Sequence, residues 1–559
     1  MEPPRFDKIK FKNEIYILKQ RNDWLSIYRK FSPISQLQQL QELWTDAEIL
    51  SDLGFACGML AKTSKEELPK KQDERDRFLD QKTKYRNEAR MIWVRCTELM
   101  PNNPSYWANF GYLHYQNAME LKPPKVRRDG NLQQEAEEAI KCYDKALAIA
   151  PNRIKELYRR GKLLADILPS IYWKKKNGKL AKEKRIEGIR SCQNAIQRWE
   201  SLDSNNHEEN RERSRCRNEY IKSLYCTAST YYEMIINKWE PAIFTLGLRK
   251  IISSEDKILY NPSDLENAKN SAQYFEKCRV ADTPNGKSAK IAINGSCEGV
   301  DKLYSLGKVA FVQYWILSGN GQKKDEYVPE AISYRNQAEQ YLKQALEFPY
   351  SLEKQRQKKD YIAERLARLY ISKEEYEKAI EIIEKYRSNR VDPYILHTWS
   401  LGLMLLGRHS EAQTKLQEAI DNQYNLDKWT SYFLLGCSFL REGRLDESAT
   451  VIQEAKSQKE TETLLFAEAL IAYKQKRKSE AIKLIERANK LNPYCVSIGK
   501  YLTKWSEGKI HPVEVLQSKS LSRKLSDDED YTQIKYDAFG YNESMEISFD
   551  QYLDIFGYL

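Results

Sequence analysis

Two clusters of basic residues have the clearest chemical potential in this 559-residue chain. One lies at residues 122–128 and the other at 172–185, where two aromatic residues accompany the cations. Cations that neutralise phosphates, beside rings that stack on bases, are the means by which proteins bind single-stranded nucleic acid. The same composition is typical of solvated loops between helices, and we favour that simpler interpretation. The residues are Lys122, Lys125, Arg127, Arg128, Tyr172, Trp173, Lys174, Lys175, Lys176, Lys179, Lys182, Lys184 and Arg185.

No arrangement of residues indicates catalysis or a metal site. The sequence contains no G-x4-G-K-[ST] phosphate loop, no G-x-S-x-G nucleophile and no H-E-x2-H zinc motif. The ten cysteines form no C-x2-C pair, and the five histidines lack the spacing of metal ligands. We therefore expect no cofactor, no metal and reduced core cysteines, as in a cytoplasmic protein. An enzyme hidden in the irregular region 200–300 is the weakest alternative.

A spaced pattern of small and large residues recurs four times between residues 359 and 493. Each occurrence places a small residue, a large apolar residue four positions later and a further residue three positions after that. The first members are separated by 33, 36 and 33 residues, and such fixed self-similarity is typical of stacked repeats. The four sets are Ala379-x3-Ile383-x2-Tyr386, Ala412-x3-Leu416-x2-Ala419, Ser448-x3-Ile452-x2-Ala455 and Ala481-x3-Ile485-x2-Ala488.

Each set follows a partner helix, which is clearest in the segment before Ser448. There Tyr432-x2-Leu435-Gly436-x2-Phe439 places apolar residues on one helix face, and Gly436 allows the second helix to approach closely. The combined pattern resembles the tetratricopeptide repeat, which joins W-x2-L-G-x2-Y to A-x3-F-x2-A-x4-P. The resemblance implies an all-α fold, a right-handed superhelical solenoid of helix-turn-helix repeats. Terminal repeats must hide an apolar face, so we expect N-terminal capping helices at residues 1–46.

Nine repeats are predicted over residues 47–493, and the one around 219–281 is the loosest match. Repeats in the N-terminal half contain long insertions between their two helices, whereas the last four are compact. The predicted segments are a helical cap at 1–46, repeats with insertions at 47–200, an irregular helical middle at 201–299, a repeat with an insertion at 300–358, a compact array at 359–493, a helix and linker at 494–525, and an acidic aromatic tail at 526–559.

The family resemblance also assigns residues to a concave groove, which positions 5, 9 and 12 of each first helix line in tetratricopeptide arrays. In the last three repeats these positions are almost wholly apolar, and they lack the Lys, Asn and Arg with which one version of the family binds a peptide carboxylate. Such a groove would take an amphipathic helix or an aromatic-rich segment. Alternatively, these side chains pack against a neighbouring helix or a C-terminal cap. They are His397, Leu401, Met404, Phe433, Cys437, Leu440, Phe466, Leu470 and Tyr473.

The tail at 526–559 differs from the rest of the chain in charge. Nine acidic residues against one basic residue, Lys535, give it a net charge of −8, and since the whole chain carries +11, the remainder carries +19. It also contains eight aromatic residues, whereas acidic segments that merely solvate a protein are poor in them. We expect the tail to occupy the groove of its own chain or of a second copy, or to be a motif for a different protein.

The expected function is that of a non-catalytic cytoplasmic scaffold or adaptor that binds another protein or peptide in its concave groove. No apolar run approaches the roughly 18–20 residues of a membrane span, and the N-terminus is too polar for a signal peptide, so we expect no membrane partner. The second hypothesis is a nucleic-acid-associated regulator that uses residues 122–128 and 174–185. Salt-dependent nucleic-acid binding would favour the second hypothesis, and capture of a defined protein the first.

Overall fold

The chain divides into two compact units, Met1–Thr227 and Ala228–Leu559, and the division falls inside one long helix. The computed structural model describes residues 8–31, 41–63, 67–122, 130–175, 177–243, 262–282, 300–318, 329–347, 353–387, 391–422, 428–458, 460–491, 496–507 and 509. Regular structure within these ranges is helical, as predicted. None of the described helices combines the length and hydrophobicity of a membrane-spanning segment. The seven predicted segment boundaries and the handedness of the superhelix stay predictions.

The first unit consists of three short helices followed by helical hairpins. Asp46, Asn103, Asn131 and Asn177 each precede a helix and accept a hydrogen bond from a first-turn backbone N–H, which satisfies a donor that has no partner inside the helix. The helices are α1 (Lys8–Gln20), α2 (Trp24–Phe31), α3 (Gln41–Trp44), α4 (Ala47–Ala61), α5 (Gln72–Leu99), α6 (Pro104–Leu121), α7 (Leu132–Ile149), α8 (Ile154–Lys162), α9 (Leu168–Lys174), α10 (Gly178–Glu200) and the first part of α11 (His207–Ile243).

The second unit continues with paired helices, and the last helix that the structure describes in it is unpaired. Within the described residues, the hairpins from α4–α5 to α21–α22 number nine, as the sequence pattern predicts. The helices of this unit after α11 are α12 (Pro262–Ala281), α13 (Val300–Ser318), α14 (Pro329–Glu347), α15 (Glu353–Ser372), α16 (Tyr376–Tyr386), α17 (Pro393–Leu405), α18 (His409–Asn422), α19 (Trp429–Arg441), α20 (Leu445–Gln458), α21 (Glu462–Lys474), α22 (Lys478–Leu491) and α23 (Val496–Trp505).

The N-terminal helices cover the apolar end of the first repeat. Ile15 of α1 and Ile27 and Phe31 of α2 are buried in one core cluster with Leu50 and Leu53 of α4. Removing these side chains from water is the main favourable term for docking such short helices. The predicted N-terminal cap is therefore confirmed.

Close-packed glycines bring the two helices of a hairpin together. A Cβ atom at Gly111 of α6 would lie 2.9 Å from the ring of Tyr143 on α7, and one at Gly161 of α8 would lie 2.5 Å from Sγ of Cys192 on α10. A side chain at either position would force the helices apart. The glycines of the sequence pattern are thus the positions of closest approach.

The repeat around 219–281, the loosest sequence match, is a helical hairpin of α11 and α12. Ser271 of α12 is buried and donates a hydrogen bond to the carbonyl oxygen of Ala228 on α11, at 2.8 Å. Phe275 and Cys278, the other members of its pattern, are also buried. The small, large and small residues of the pattern therefore mark a true helix contact here.

Two predicted insertions are helical, including part of the basic one for which a solvated loop was favoured. Residues 72–88 belong to α5, which is 28 residues long, and residues 178–185 are the first two turns of α10. No proline or internal glycine interrupts either stretch, so helix propensity extends the second helix of each hairpin backwards. The basic residues from Lys179 to Arg185 therefore lie on a helix.

The cysteines that the structure describes are free and buried, as predicted for small core residues. Burial raises the pKa of the Cys96 and Cys142 thiols to about 12, so they stay protonated and unreactive at neutral pH. In the described part of the chain, no group of three or more potential ligands could hold a metal ion.

Candidate functional site

Eight of the nine predicted groove residues of the compact array are buried. Their exposed fractions are 4% or less, whereas Tyr473 is 37% exposed. These eight side chains do not line an open groove. Their burial agrees better with the alternative hypothesis, in which they pack against neighbouring helices or a C-terminal cap. The buried eight are His397, Leu401, Met404, Phe433, Cys437, Leu440, Phe466 and Leu470.

The terminal helix α23 covers the last repeat of this array. The ring of Tyr473 on α21 stacks on that of Trp505, with centroids 4.3 Å apart and planes inclined by 5°. Phe466, about two turns earlier on α21, has its centroid 5.4 Å from Tyr501 and 6.4 Å from Trp505. This aromatic cluster buries a large apolar area and makes α23 the C-terminal cap.

Buried polar contacts join the first helices of consecutive repeats in the array. His397 of α17 lies with Nε2 2.7 Å from Oγ of Ser431 on α19, and Thr398 donates to a carboxylate oxygen of Glu364 on α15 at 2.7 Å. The same carboxylate accepts a hydrogen bond from Arg368. Burial, with a smaller contribution from the Arg368 charge, lowers the pKa of His397 to about 4, so the imidazole is neutral at physiological pH.

A second inner face, in the first unit, is partly open to solvent. We name it the tyrosine–lysine face; its members are Tyr112, Tyr115, Tyr158, Arg159 and Lys162, all partly exposed. It lies on α6 and α8, the first helices of the second and third repeats. Its residues were not among those predicted from the sequence, since groove positions were predicted only for the last three repeats.

The register of this face matches that of the predicted groove. Tyr112 and Tyr115 follow the close-packed Gly111 by one and four positions, as Cys437 and Leu440 follow Gly436. In each hairpin the glycine contacts the second helix. Residues at the same offset from that glycine therefore lie on the same face of the first helix. The spacing of Tyr112 and Tyr115 from Gly111 could therefore have identified this face from the sequence.

The tyrosine rings and a guanidinium group form a layered arrangement. The rings of Tyr112 and Tyr115 are nearly parallel, with centroids 6.4 Å apart, and Cζ of Arg159 lies 4.1 Å above the Tyr112 ring. The phenol groups of Tyr115 and Tyr158 lie close enough to influence the pKa of one another. The cation–π contact joins side chains of two repeats, so the face is preorganised.

Two lysines share one carboxylate at the edge of the face. Asp166 lies 2.7 Å from Nζ of Lys162 and 2.5 Å from Nζ of Lys122. The side chain of Lys162 remains 27% exposed and that of Lys122 39% exposed, so both side chains are partly open to solvent. Arg159 adds a third cation, on which the carboxylates of Glu156 and Glu219 act, so each cation of the cluster has an acidic group near it.

A π-helical turn, Leu163–Ile167, carries Asp166 between α8 and α9. The N–H of Leu168 donates to the carbonyl oxygen of Leu163, five residues earlier. Pro169 follows directly, and it has no N–H to donate to the preceding turn. The wide turn accommodates the proline without ending the helix, and such turns are frequent at functional sites.

Burial and charge set the protonation states on this face. Burial raises the pKa of both Tyr115 and Tyr158, which keeps the phenols protonated as hydrogen-bond donors. Burial disfavours the charged form of Lys162, but its interactions with Cys226 and Asp166 outweigh that effect and raise its pKa. For Asp166, burial opposes ionisation, yet Lys162 and Lys122 lower the carboxyl pKa. The face therefore presents neutral donors and fixed cations.

The predicted nucleic-acid residues are mostly engaged within the chain. Tyr172 is buried, its hydroxyl lies 3.0 Å from Glu137, and burial with this contact raises its pKa to about 12. Its ring is therefore not available to stack on a base, contrary to the expectation. Trp173 packs on Gly178, where a Cβ atom would lie 2.4 Å from the ring.

The basic residues of the two clusters do not form one exposed patch. Lys122 pairs with Asp166, Lys175 donates to Gln133 at 2.6 Å, and Lys184 donates to Glu187 at 2.9 Å. Lys179 is exposed and Lys182 partly so, but Arg185 is buried. The remaining residues, Lys125, Arg127, Arg128 and Lys176, together with the side chain of Lys174, lie outside what the structure describes.

Two family models of the tetratricopeptide repeat match the chain, one at residues 362–386 and one at 399–462. The chain is a tetratricopeptide repeat protein. The match covers parts of the compact array, where the sequence pattern is most regular. None of the curated protein sequences matches the chain significantly.

Several solved structures show a distant likeness. The human IFIT1 dimer with PPP-AAAA is 13% identical, with a TM-score of 0.33, over 86% of this chain and 85% of that one. Yeast Tom70 is 12% identical, with a TM-score of 0.28, over 82% and 98%. The P58(IPK) TPR domain is 13% identical, with a TM-score of 0.19, over 76% and 93%. Likenesses this distant carry no information about partners.

Proposed function

We propose that this tetratricopeptide repeat protein is a non-catalytic cytoplasmic scaffold that holds an extended acidic polypeptide against its tyrosine–lysine face. The observation that carries the proposal is the row of partly exposed tyrosines and cations on the first helices of two consecutive repeats. The free, buried thiols support the cytoplasmic placement.

The chemistry of the face favours a peptide with carboxylate groups. Phenol hydroxyls donate hydrogen bonds to peptide carbonyl or carboxylate oxygens, and the rings offer apolar contact with little loss of side-chain freedom. Arg159 and Lys162 add fixed positive charge, and the chain outside the tail carries +19, which attracts acidic partners over longer distances. Tyrosine and arginine are also the residues that most often dominate the binding energy of protein interfaces.

The test measures binding of a labelled random copolymer of glutamate and tyrosine to the full-length chain by fluorescence anisotropy. Tyr158→Ala and Lys162→Glu are each expected to weaken binding about tenfold or more, since each removes a residue central to the face. A copolymer of lysine and tyrosine should not bind.

Matched controls are exposed residues that do not belong to the face. Tyr16 is 62% exposed, so Tyr16→Ala should leave the affinity unchanged, and Lys141→Glu is the corresponding charge control because the Lys141 side chain is 66% exposed. Equal affinity of Tyr158→Ala, Lys162→Glu and the controls would show that the face does not bind acidic polypeptides.

The same assay with a single-stranded oligonucleotide tests the alternative of a nucleic-acid-associated regulator. Phosphate contacts would make the affinity fall steeply with salt. The burial of Tyr172 and the pairing of Lys122 and Lys184 with carboxylates make this alternative the weaker one. Tight, salt-sensitive oligonucleotide binding without copolymer binding would favour it instead.

A further inference from the structure

The hairpin of α1 and α2 at the N-terminal end is apolar on two sides. Its inner side, with Ile15 and Ile27, is buried against the first repeat. On another side of α1, Ile9 is 75% exposed and Tyr16 62% exposed, and their separation of seven residues, close to two turns, puts them on one face. Ile17 beside Tyr16 is 49% exposed. The outside of a terminal cap is expected to be polar, so this apolar surface indicates a contact with something other than water.

The size of this surface distinguishes between kinds of partner. Of the ten large apolar side chains that are exposed in the described part of the chain, the hairpin supplies four: Ile9, Tyr16, Ile17 and Leu25. Four partly exposed side chains of this size present less than about 800 Å², which is the area that each partner contributes to a standard protein interface. Shallow insertion into a lipid interface needs only a few such side chains.

The net charge of the hairpin is positive. Residues 8–31 contain seven basic and two acidic residues, so their net charge is +5. Carboxylates of α4 offset part of this charge, since Lys12 pairs with Glu48 and Lys19 with Asp52. The remaining excess attracts anionic surfaces and repels a second copy of the same hairpin.

The exposed residues of the hairpin include no carboxylate. Its two acidic residues are only partly exposed, and both are engaged: Glu14 pairs with Lys30 at 2.5 Å, and Asp23 accepts the backbone N–H of Ser26 at 3.1 Å. Apolar, amide and cationic side chains therefore form the surface. In the described part of the hairpin the exposed residues are Ile9, Asn13, Tyr16, Ile17, Lys19, Gln20, Arg21, Asn22, Leu25, Arg29 and Lys30.

We propose that the hairpin of α1 and α2 docks reversibly on the surface of a membrane that contains anionic lipids. Ile9, Tyr16 and Ile17 enter the interface at the level of the headgroups, where tyrosine is favoured, while Arg21 and Arg29 contact the anionic headgroups. A single weak signal gives only marginal binding, so the apolar and the cationic residues act together.

This docking differs from the membrane contacts that were considered from the sequence. The expectation of no membrane partner concerned spanning segments and signal peptides, and a hairpin that lies on a membrane surface needs neither. The inference is independent of the tyrosine–lysine face, because it uses none of the residues of that face.

Sedimentation of the full-length chain with lipid vesicles tests the proposal. We expect binding to vesicles of phosphatidylcholine and phosphatidylserine in equal parts, and binding about tenfold weaker or less to vesicles of phosphatidylcholine alone. The double variant Tyr16→Ser, Ile17→Ser should bind the mixed vesicles about tenfold more weakly, since it loses apolar insertion. The control Val280→Ser, at a side chain that is 62% exposed and outside the hairpin, should bind as the natural chain does.

A second pair of variants tests the contribution of charge. Arg21→Glu with Arg29→Glu should weaken binding to the mixed vesicles about tenfold or more, because two exposed cations become anions. The matched control is Lys141→Glu with Lys378→Glu, whose side chains are 66% and 62% exposed, and it should not change the binding. All of these substitutions are at exposed residues, so the thermal unfolding temperature of each variant should match that of the natural chain.

Three results overturn the proposal. The first is equal vesicle binding by the natural chain and the two hairpin variants. The second is a natural chain that is dimeric without vesicles and monomeric with Tyr16→Ser, Ile17→Ser, since a second copy would then cover the hairpin. The third is a copolymer of glutamate and tyrosine that binds the natural chain but not Arg21→Glu, Arg29→Glu, without any vesicle binding, since the partner would then be an acidic protein.

Discussion

The rings of Tyr473 and Trp505 are stacked 4.3 Å apart, and this contact is one of several aromatic contacts that join the last repeat to the last described helix. Trp505 is 3% exposed, so its indole contributes most of its surface to the cap. The last helix of a repeat array has no following repeat to bury its apolar side, and here an aromatic pair takes that role.

We predict that Trp505→Ala destabilises the last repeat by about 3–5 kcal/mol, because truncation of a buried tryptophan removes apolar contacts and leaves a cavity. Hydrogen exchange of the α21 amides measures this local stability. Tyr16→Ala, at a 62% exposed side chain, should change stability by no more than roughly 0.5 kcal/mol. Unchanged exchange in α21 would mean that α23 is not its cap.

We predict a large cost for breaking the buried ion pair of Arg86 and Glu120, whose nitrogen and oxygen lie 2.9 Å apart. Both side chains are nearly inaccessible, and Glu120 also accepts the backbone N–H of Thr63. Arg86→Ala would leave the carboxylate buried without its cation, at a cost of about 3–5 kcal/mol.

The double variant Arg86→Met, Glu120→Leu is the control for the Arg86 prediction. It removes both charges and keeps the volume, so it should be less destabilising than Arg86→Ala alone. Urea unfolding of the first unit measures the difference. A double variant that is equally or more unstable would contradict the role assigned to the uncompensated charge.

We predict that His397 makes the array less stable in mild acid. Its folded pKa of about 4 lies below the ordinary 6.5, so the unfolded chain binds a proton that the folded chain does not. The stability due to the neutral imidazole is present above pH 6.5 and is lost as the pH falls towards 4, by about 2 kcal/mol at pH 5.

The variant His397→Gln isolates this effect, because it keeps a neutral partner for Ser431 and cannot titrate. Carboxylates elsewhere contribute equally to both chains and cancel in the comparison. Urea unfolding at pH 7.5 and pH 5 should therefore show a smaller loss of stability in the variant. The same loss in both chains would show that His397 is not the group responsible.

We predict opposite effects for two glycine substitutions in neighbouring helices. Gly111→Ala would place a Cβ 2.9 Å from Tyr143 and should destabilise by about 1–3 kcal/mol through overpacking. At Gly58 of α4 the nearest atom would be 3.9 Å away, so Gly58→Ala should be neutral or stabilise by up to about 1 kcal/mol. Thermal unfolding of the two variants measures the contrast, and equal effects would contradict close packing at Gly111.

The repeats could be predicted from sequence because their positions are defined by local packing. Gly111 and Gly161 must be small since a second helix lies against them, and the residues around them recur at fixed spacing. The burial of Phe433 could not be predicted in the same way. Its position in the repeat gives the direction of its side chain, but the tertiary packing around it decides whether it meets solvent.

Two further features could not be predicted because the local sequence is compatible with two conformations in each case. The stretch 178–185 has the composition of a solvated loop and also the propensity of a helix, and the packing of α10 on α8 decides for the helix. The π-turn has one local signal, Pro169, which in other helices produces a kink instead.

Asp166 gives the tyrosine–lysine face a built-in competitor. Because this carboxylate already bridges Lys122 and Lys162, an incoming acidic group has to exchange with it and cannot simply add to vacant cations. A lone carboxylate in solution gains little from such an exchange, whereas a chain that presents several at once gains from each further contact. The bridge would thus act as a filter that ignores small anions such as acetate and selects for polyvalent acids.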